Sequence, residues 1–177
     1  DSTVAALIQA REKNAIASQY SMADALFSAS FLNACLRHAE DVGMANIAPI
    51  VNTRGPLFVH RQGLVRRTTF HVLSLYANQL ESRVGGLELS SGVLQEGEKS
   101  VPVVDGVATV DETGSKWALA LVNRHPSQEV PCTVLMKGEA VAGRFSATIL
   151  EGDSPDAYND VEQPNRGVPH AVQLEVR

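Results

Sequence analysis

The side chains that could carry out chemistry are few in this sequence, and they stand far apart. No pair of histidines has the H-E-x-x-H spacing of a zinc site, so we predict no bound metal. The chain also lacks the G-x-S-x-G nucleophile turn, the phosphate-binding loop and the G-x-G-x-x-G dinucleotide fingerprint. His38 and His71 fall on predicted helices, where we expect structural hydrogen bonds. The remaining histidines are at positions 60, 125 and 170.

Two pairs of adjacent carboxylates are the candidates for acid–base catalysis. Glu40 and Asp41 close a predicted helix, and Asp111 and Glu112 precede a predicted turn. A catalytic acid or base must lie within hydrogen-bond reach of the reacting group and have a pKa suited to its task. We interpret both pairs as solvated instead, and we predict no catalytic residue in this chain.

The segment from Asn52 to Gly55 is better placed to bind a ligand. It follows the short apolar run MANIAPIVN, which is typical of a strand buried on both faces. Because α/β barrels place their sites on loops at the carboxyl ends of strands, Asn52 and Arg54 are candidate substrate-binding residues. An alternative remains open, in which Asn52 caps the strand and Arg54 pairs with a structural carboxylate.

A helix is predicted on each side of this strand. Ser21 is a good N-cap with Asp24 at the third helical position, and apolar residues recur at helical spacing as far as Ala39. After the predicted loop NTRGPLFVHRQG, a second amphipathic helix should run from Val65 to about Glu81. A doubly buried strand needs neighbours on both edges, so we expect the missing strands upstream in a longer protein or in partner chains.

From about Arg83 the pattern changes to short β-prone runs separated by turns. The runs are RVGGLEL, VPVVDGVATV, WALALVN, EVPCTVLM and FSATILE, and they predict an antiparallel, jelly-roll-like β sandwich. The tail GDSPDAYNDVEQPNRGVP should be an ordered loop before a last strand, Ala171 to Val176. The predicted class is therefore an α+β fragment, with residues 1–81 ending an α/β domain and residues 82–177 forming a β-sandwich domain.

Composition limits the classes of function. The chain is 44% hydrophobic and 20% charged, which is typical of a folded globular protein. Its net charge of −5 and its scattered basic residues argue against nucleic acid or an anionic membrane as a partner. No apolar run is long enough for a membrane helix, and no signal peptide is visible, so we expect a soluble, cytoplasmic protein. Cys35 and Cys132 are predicted to be buried thiols.

Both halves of the chain resemble one known family. The runs YSMADALFSASFLNACLRHAEDVGMANIAPIVNTRGPLFVH and GLVRRTTFHVLSLYAN resemble the end of the catalytic barrel in the α-L-arabinofuranosidases of glycoside hydrolase family 51. ATVDETGSKWALALVNRHPSQEV and SPDAYNDVEQPNRGVP resemble the C-terminal β domain of the same enzymes. The likeness extends from about Tyr20 to Pro169, and the MANIAPIVN strand and the VNRHP turn are its most specific parts.

The resemblance assigns the predicted elements to a (β/α)8 barrel. It implies that Ser21 to Asp41 is the penultimate helix, Met44 to Val51 the eighth strand and Val65 to Glu81 the last helix. Members remove terminal α-L-arabinofuranosyl groups from arabinan, arabinoxylan and their oligosaccharides, and they need no metal or organic cofactor. The implied partners are therefore arabinose-containing carbohydrates and the remainder of the catalytic barrel, in a protein that takes part in arabinan catabolism.

The resemblance implies a retaining hydrolase, and retaining hydrolysis requires two carboxyl groups about 5–5.5 Å apart. The resemblance implies that both are glutamates, at the ends of the fourth and seventh barrel strands, which precede Asp1. The chain alone should therefore be inactive. Family members commonly present a glutamine from the loop after the eighth strand, whereas the corresponding residue here is Gly55, which leaves Asn52 and Arg54 as the candidate sugar contacts.

Two other functions are compatible with the sequence. The β domain could be a non-catalytic carbohydrate-binding module with Trp117 and Tyr158 as stacking residues, although Trp117 opens an alternating strand that favours a core position. The chain could also be an assembly module. An incomplete barrel wall would expose apolar surface and a strand edge, which predicts a homo-oligomer for the isolated chain.

Overall fold

The computed structural model of the protein describes residues 20–136 and 145–172. These residues form two helices and nine strands, and all the strand pairs are antiparallel. In chain order the elements are α1 (Met22–Arg37), β1 (Leu57–His60), β2 (Gly63–Arg66), α2 (Thr68–Gln79), β3 (Arg83–Gly85), β4 (Val93–Glu96), β5 (Lys99–Pro102), β6 (Val104–Val110), β7 (Trp117–Asn123), β8 (Ala147–Leu150) and β9 (Pro169–Val172).

Helix α1 begins at its predicted cap. The Asp24 carboxylate accepts a hydrogen bond from the backbone N–H of Ser21 at 2.9 Å, which is one half of a capping box. The N–H groups of the first turn, which have no partner within a helix, are met by the tail loop that follows β8. Met22 N–H donates to the Ala157 carbonyl at 2.8 Å, and Ala23 N–H donates to the Pro155 carbonyl at 2.9 Å.

Helix α2 starts later than the sequence suggested, because the predicted loop before it is a β hairpin. Strands β1 and β2 pair in the register Leu57↔Arg66 to His60↔Gly63. Val65 is therefore a buried strand residue, and the helix begins at Thr68. The Thr68 hydroxyl donates to the carbonyls of Tyr20 and Ser21, at 2.9 and 2.8 Å, which fixes the start of α2 against the start of α1.

The predicted strand Met44 to Val51 is not formed in this structure. The segment is irregular and exposed, with Met44 75% and Ile50 63% exposed, and only Val51 makes an isolated parallel bridge, to Leu57. A strand that is apolar on both faces needs a neighbour on each edge to satisfy its backbone groups. The residues that the structure describes do not supply those neighbours, so the segment leaves its apolar side chains in solvent.

The β-rich half is built around β6. This strand lies between β3 and β7, with the register Val104↔Asn123 to Val110↔Trp117 on the β7 side, and all its residues are buried. Helix α1 packs on β6 and β7, where Val122 joins a small core with Ala29 and Val72. Strands β4 and β5 form a separate hairpin, and β8 pairs with β9.

Several strand predictions need correction. The run VPVVDGVATV divides into β5 and β6, and RVGGLEL contributes only the short β3. EVPCTVLM is irregular and mostly exposed, because no neighbouring strand lies against it among the described residues. The last strand is Pro169–Val172, and residues 173–176 of the prediction lie outside the described range.

The two cysteines differ from the prediction of buried thiols. Cys35 is half-buried on α1, and Cys132 is exposed in the irregular segment that follows β7. Both are free thiols. The prediction is wrong for Cys132 because the strand that would have buried it does not form.

Candidate functional site

The loop from Asn52 to Gly55 has an unusual backbone. Asn52 and Thr53 both have positive φ angles, of 53° and 40°. This region is unfavourable for residues other than glycine, and especially for a β-branched residue such as threonine. The loop is closed by two backbone hydrogen bonds with Leu57, whose N–H donates to Ile50 O at 3.1 Å and whose carbonyl accepts from Asn52 N–H at 2.8 Å. Strained backbone of this kind is concentrated at functional sites.

Asn52 uses part of its side chain to hold the hairpin. Its Oδ1 accepts a hydrogen bond from the backbone N–H of Val59 at 2.7 Å, so the side chain ties the loop to β1. The Nδ2 group makes no hydrogen bond with the rest of the described chain. Asn52 therefore has a structural role in the hairpin, but not as the cap of the predicted strand before it, which is not formed. One amide group of the half-buried side chain remains available to a ligand.

Arg54 lies at the tip of the loop and is exposed. No carboxylate of residues 20–136 or 145–172 pairs with it, so the alternative of a structural ion pair is not supported within that part of the chain. The guanidinium is free to meet a ligand. Its role in sugar binding stays a prediction.

Gly55 has no space for a side chain. The residue is buried, and a Cβ atom there would meet the backbone carbonyl group of Ile50 and lie 2.6 Å from the backbone nitrogen of Val51. Real side chains do not approach backbone atoms this closely. With this loop conformation, no residue with a side chain could replace Gly55.

Arg67 supports the loop from Asn52 to Gly55 from the buried side, and it was not identified from the sequence. The side chain is buried, with an exposure of 4%, and its NH1 group donates to the Gly55 carbonyl at 2.6 Å and to the Thr53 carbonyl at 3.4 Å. The guanidinium carbon lies 3.4 Å from the centre of the Tyr20 ring and 5.0 Å from that of Phe58. The only signal in the sequence was the Arg66-Arg67 doublet near the start of the predicted second helix.

A second polar cluster, also missed by the sequence analysis, joins the helices to the β sheet. The Asp105 carboxylate on β6 accepts from Arg37 NH1 at 2.9 Å and Asn33 Nδ2 at 3.1 Å, and it lies 3.2 Å from Arg124 NH2. The Tyr76 hydroxyl of α2 completes the cluster by donating to Asn33 Oδ1 at 2.6 Å. Burial first, and the negative Asp105 second, raise the pKa of Tyr76 above its ordinary value. Arg124 belongs to the VNRHP turn that carried part of the family resemblance.

The other predicted candidates have structural positions. The Asp111 carboxylate accepts from the hydroxyls of Thr113 and Ser115 and from the N–H of Lys116, at 2.6, 3.2 and 3.1 Å, which closes the turn between β6 and β7. These hydrogen bonds, that from Thr113 first, lower the pKa of Asp111 to about 2. Glu40 and Asp41 are exposed at the end of α1.

The histidines occupy separate places. His125 Nδ1 accepts the N–H groups of Ser127 and Gln128 and so shapes the VNRHP turn. His71 is buried on α2, where burial and, to a smaller extent, the positive Arg66 lower its pKa. Within residues 20–136 and 145–172, no group of histidine, cysteine and acidic residues is suited to hold a metal ion.

Trp117 and Tyr158 lie on different elements. Trp117 is 42% exposed and covers the face of Gly85 on β3, while its indole N–H donates to the Gly114 carbonyl at 3.2 Å. Tyr158 is half-buried in the tail loop, where its backbone forms a bridge with Ser21. The predicted core position of Trp117 is therefore only partly realised, because the residue is 42% exposed.

A search of the described helices for a membrane-spanning segment found none that is sufficiently long and apolar.

Comparison with known proteins gave consistent matches. Residues 4–177 match the model of the family described as the alpha-L-arabinofuranosidase C-terminal domain. A probable alpha-L-arabinofuranosidase C from Aspergillus clavatus is 31% identical over 161 residues, which cover 86% of this chain and 31% of that protein. The intracellular exo-α-(1→5)-L-arabinofuranosidase of Streptomyces lividans is 30% identical over 155 residues, covering 86% of this chain and 23% of that protein.

A solved structure agrees with these matches. AbfB, a family 51 alpha-L-arabinofuranosidase from Bifidobacterium longum, superposes with a TM-score of 0.77 at 27% identity, covering 89% of this chain and 32% of that one. The chain spans about a third or less of the length of the relatives it matches.

Proposed function

We infer the function of this chain from the family to which it belongs, that of the alpha-L-arabinofuranosidase C-terminal domain. This membership and the similarity to AbfB confirm the resemblance that the sequence showed. We propose that the chain is the C-terminal part of a retaining α-L-arabinofuranosidase, a glycosidase that removes terminal α-L-arabinofuranosyl groups from arabinan, arabinoxylan and their oligosaccharides. The activities named for the relatives support the proposal.

The exposed apolar segment from Met44 to Val51 is the structural observation that supports a role within a larger enzyme. Together with α2 it lines an open apolar groove that includes Ile47, Ile50, Phe70 and Leu73. Contiguous apolar side chains exposed to water are typical of interaction sites. We propose that the remainder of a (β/α)8 barrel covers the groove, and that residues 44–51 then become its eighth strand.

The strained loop supports a place for this chain at the substrate site. In the proposed barrel, Asn52 and Arg54 follow the eighth strand, and barrel enzymes bind substrate on such loops. The free Nδ2 of Asn52 and the guanidinium of Arg54 are donors suited to sugar hydroxyls. The two catalytic glutamates would come from strands upstream of this chain, so its part in the reaction is to position the sugar.

Three further features belong to the proposal. Residues 1–81 would complete the barrel, and residues 82–177 would form a jelly-roll-like sandwich, to which the antiparallel sheets of β3–β9 are suited. The word intracellular in the name of the Streptomyces relative supports a cytoplasmic enzyme that takes part in arabinan catabolism. The open apolar surface supports homo-oligomerisation of the isolated chain.

The test is to express the complete reading frame that contains this chain and to assay release of 4-nitrophenol from 4-nitrophenyl α-L-arabinofuranoside. We expect hydrolysis with retention of anomeric configuration by the complete protein and none by residues 1–177. An upstream sequence without seven further βα units and two strand-end glutamates would refute the proposal. Calorimetry of residues 1–177 with arabino-oligosaccharides tests the alternative of a binding module, which predicts heat at millimolar ligand.

A further inference from the structure

Arg67 differs from a surface arginine in being enclosed by the part of the chain that would bind substrate. Its guanidinium carbon lies 3.4 Å from the centre of the Tyr20 ring and 5.0 Å from that of Phe58, and these contacts limit its movement. Its backbone N–H donates to the Pro56 carbonyl at 2.9 Å. Side chain and backbone of one residue thus hold both ends of the segment from Thr53 to Pro56.

The same residue also begins helix α2. Arg67 is the N-cap, and its carbonyl accepts the N–H groups of Phe70 and His71 at 3.0 and 3.4 Å. The loop is therefore connected directly to a helix whose position is set by the Thr68 hydroxyl. A fixed helix end provides a rigid support for a loop that is itself strained.

We propose that Arg67 is a positioning residue that holds the loop from Asn52 to Gly55 in the conformation that binds the sugar. The inference depends on the proposed function, because it assigns a role at the same substrate site. Positive φ angles at Asn52 and Thr53 disfavour this conformation unless it is held from outside. The hydrogen bond from Arg67 NH1 to the buried Gly55 carbonyl is charge-assisted, which makes it stronger than a hydrogen bond between neutral groups. Gly55 has no side chain of its own that could hold the loop instead.

The expected signature is a change in KM rather than in kcat. A loop that must be ordered by the substrate weakens binding, because part of the interaction free energy is used to order it. The carboxyl groups that perform the chemistry lie on other barrel strands in the proposed enzyme, so the turnover of bound substrate should change little. A general loss of folded protein would instead lower the number of active molecules without a change in KM.

The experiment compares Arg67→Met and Arg67→Lys with Arg66→Met in the complete enzyme. Arg66 is the matched control, since it is the neighbouring arginine, is exposed and has the same charge. We expect Arg67→Met to raise KM about tenfold with kcat within about threefold, Arg67→Lys to lie between it and the wild type, and Arg66→Met to stay within about twofold. Hydrogen exchange at the Gly55 and Leu57 amides should accelerate about tenfold in Arg67→Met, with helix α2 unchanged.

The activity of the wild type tests the proposed function, whereas KM and hydrogen exchange in the Arg67 variants test this inference. If the wild-type enzyme does not cleave arabinofuranosides, the proposed function fails, whatever the loop does. If the wild type is active but Arg67→Met keeps the wild-type KM, or keeps the wild-type exchange rate in the loop, the positioning role of Arg67 is refuted. A fall in kcat with unchanged KM would refute it as well.

Discussion

The buried charge of Asp105 connects parts of the chain that are far apart in the sequence. Asp105 is 8% exposed, and its carboxylate receives donors from α1 and from the residue that follows β7. Removing one member of a buried, hydrogen-bonded charge cluster leaves the others without compensation. Arg37 is more than one-third exposed, so water screens part of the effect.

We therefore expect Asp105→Asn to lower the free energy of unfolding by about 1–3 kcal/mol in the protein that contains this chain. The substitution keeps the size of the side chain but removes the charge that two arginines share. Urea unfolding measures the change. Asp153→Asn is the control, because its bidentate pair with Arg166 is exposed and should contribute little. Equal effects of the two substitutions would contradict the importance of burial.

His71 predicts a dependence of stability on pH. Its pKa in the folded protein is lowered from the ordinary value of 6.5, so the unfolded chain takes up a proton at this residue before the folded one does. Stability from this residue is complete above pH 6.5 and is lost as the pH falls below it. We expect the melting temperature of His71→Gln to fall less than that of the wild type between about pH 7 and 5. His38→Gln, at an exposed position, should follow the wild type.

At the scale of elements, the best predictions were those that depend on local signals. The cap at Ser21 and the periodic apolar residues predicted α1, and WALALVN is β7 with the predicted bounds. The hairpin β1–β2 was missed because Gly and Pro in NTRGPLFVHRQG suggested a loop. The strand Met44 to Val51 was expected from an apolar run, but a run supplies no hydrogen-bond neighbours.

In the candidate site, too, residues marked by local signals could be predicted, and residues that depend on distant parts of the chain could not. Asn52 and Arg54 could be selected because they follow an apolar run and have polar side chains. Arg67 could not be selected, since its burial depends on Tyr20, which is far away in the sequence. The cluster around Asp105 could not be predicted from the sequence either, because its members come from α1, α2, β6 and the turn after β7.

The tail loop supplies a prediction at this scale. Gly152 lies against the start of α1, and a Cβ atom there would be 2.6 Å from Met22 Cγ and 2.8 Å from the Ala157 Cβ. Gly152→Ala should therefore cost about 1–3 kcal/mol of stability by overpacking. Gly86→Ala is the matched control, because no atom lies within 4 Å of the corresponding Cβ. Thermal unfolding of both variants tests the contact, and equal melting temperatures would disprove it.

At the scale of the molecule, the most prominent feature of the described residues is the number of large apolar side chains exposed to water. Phe27 and Phe31 project from α1 with exposures of 73% and 52%, and they line an apolar groove with Ile47 and Leu73. The sheet exposes Leu119 and Leu121 on β7. Surface of this kind is buried by association with other chains or with other parts of the same chain.

Residues 1–177 expressed alone should therefore associate into dimers or larger species. Light scattering over a range of protein concentrations measures the mass directly. The substitutions Phe27→Ser and Phe31→Ser should reduce association by removing aromatic surface from α1, whereas Phe145→Ser changes an exposed aromatic residue outside α1 and should have less effect. A single species with the mass of one chain at every concentration would contradict the prediction.

The contact between the tail loop and α1 has a consequence for biosynthesis. The carbonyls of Pro155 and Ala157, which accept the first N–H groups of α1, leave the ribosome long after the helix itself. Until residue 157 has been translated, the N–H groups of Met22 and Ala23 have only water as a partner in place of these carbonyls. A stop codon anywhere before Pro155 would therefore remove two hydrogen-bond acceptors from the beginning of α1 as well as the whole of β9.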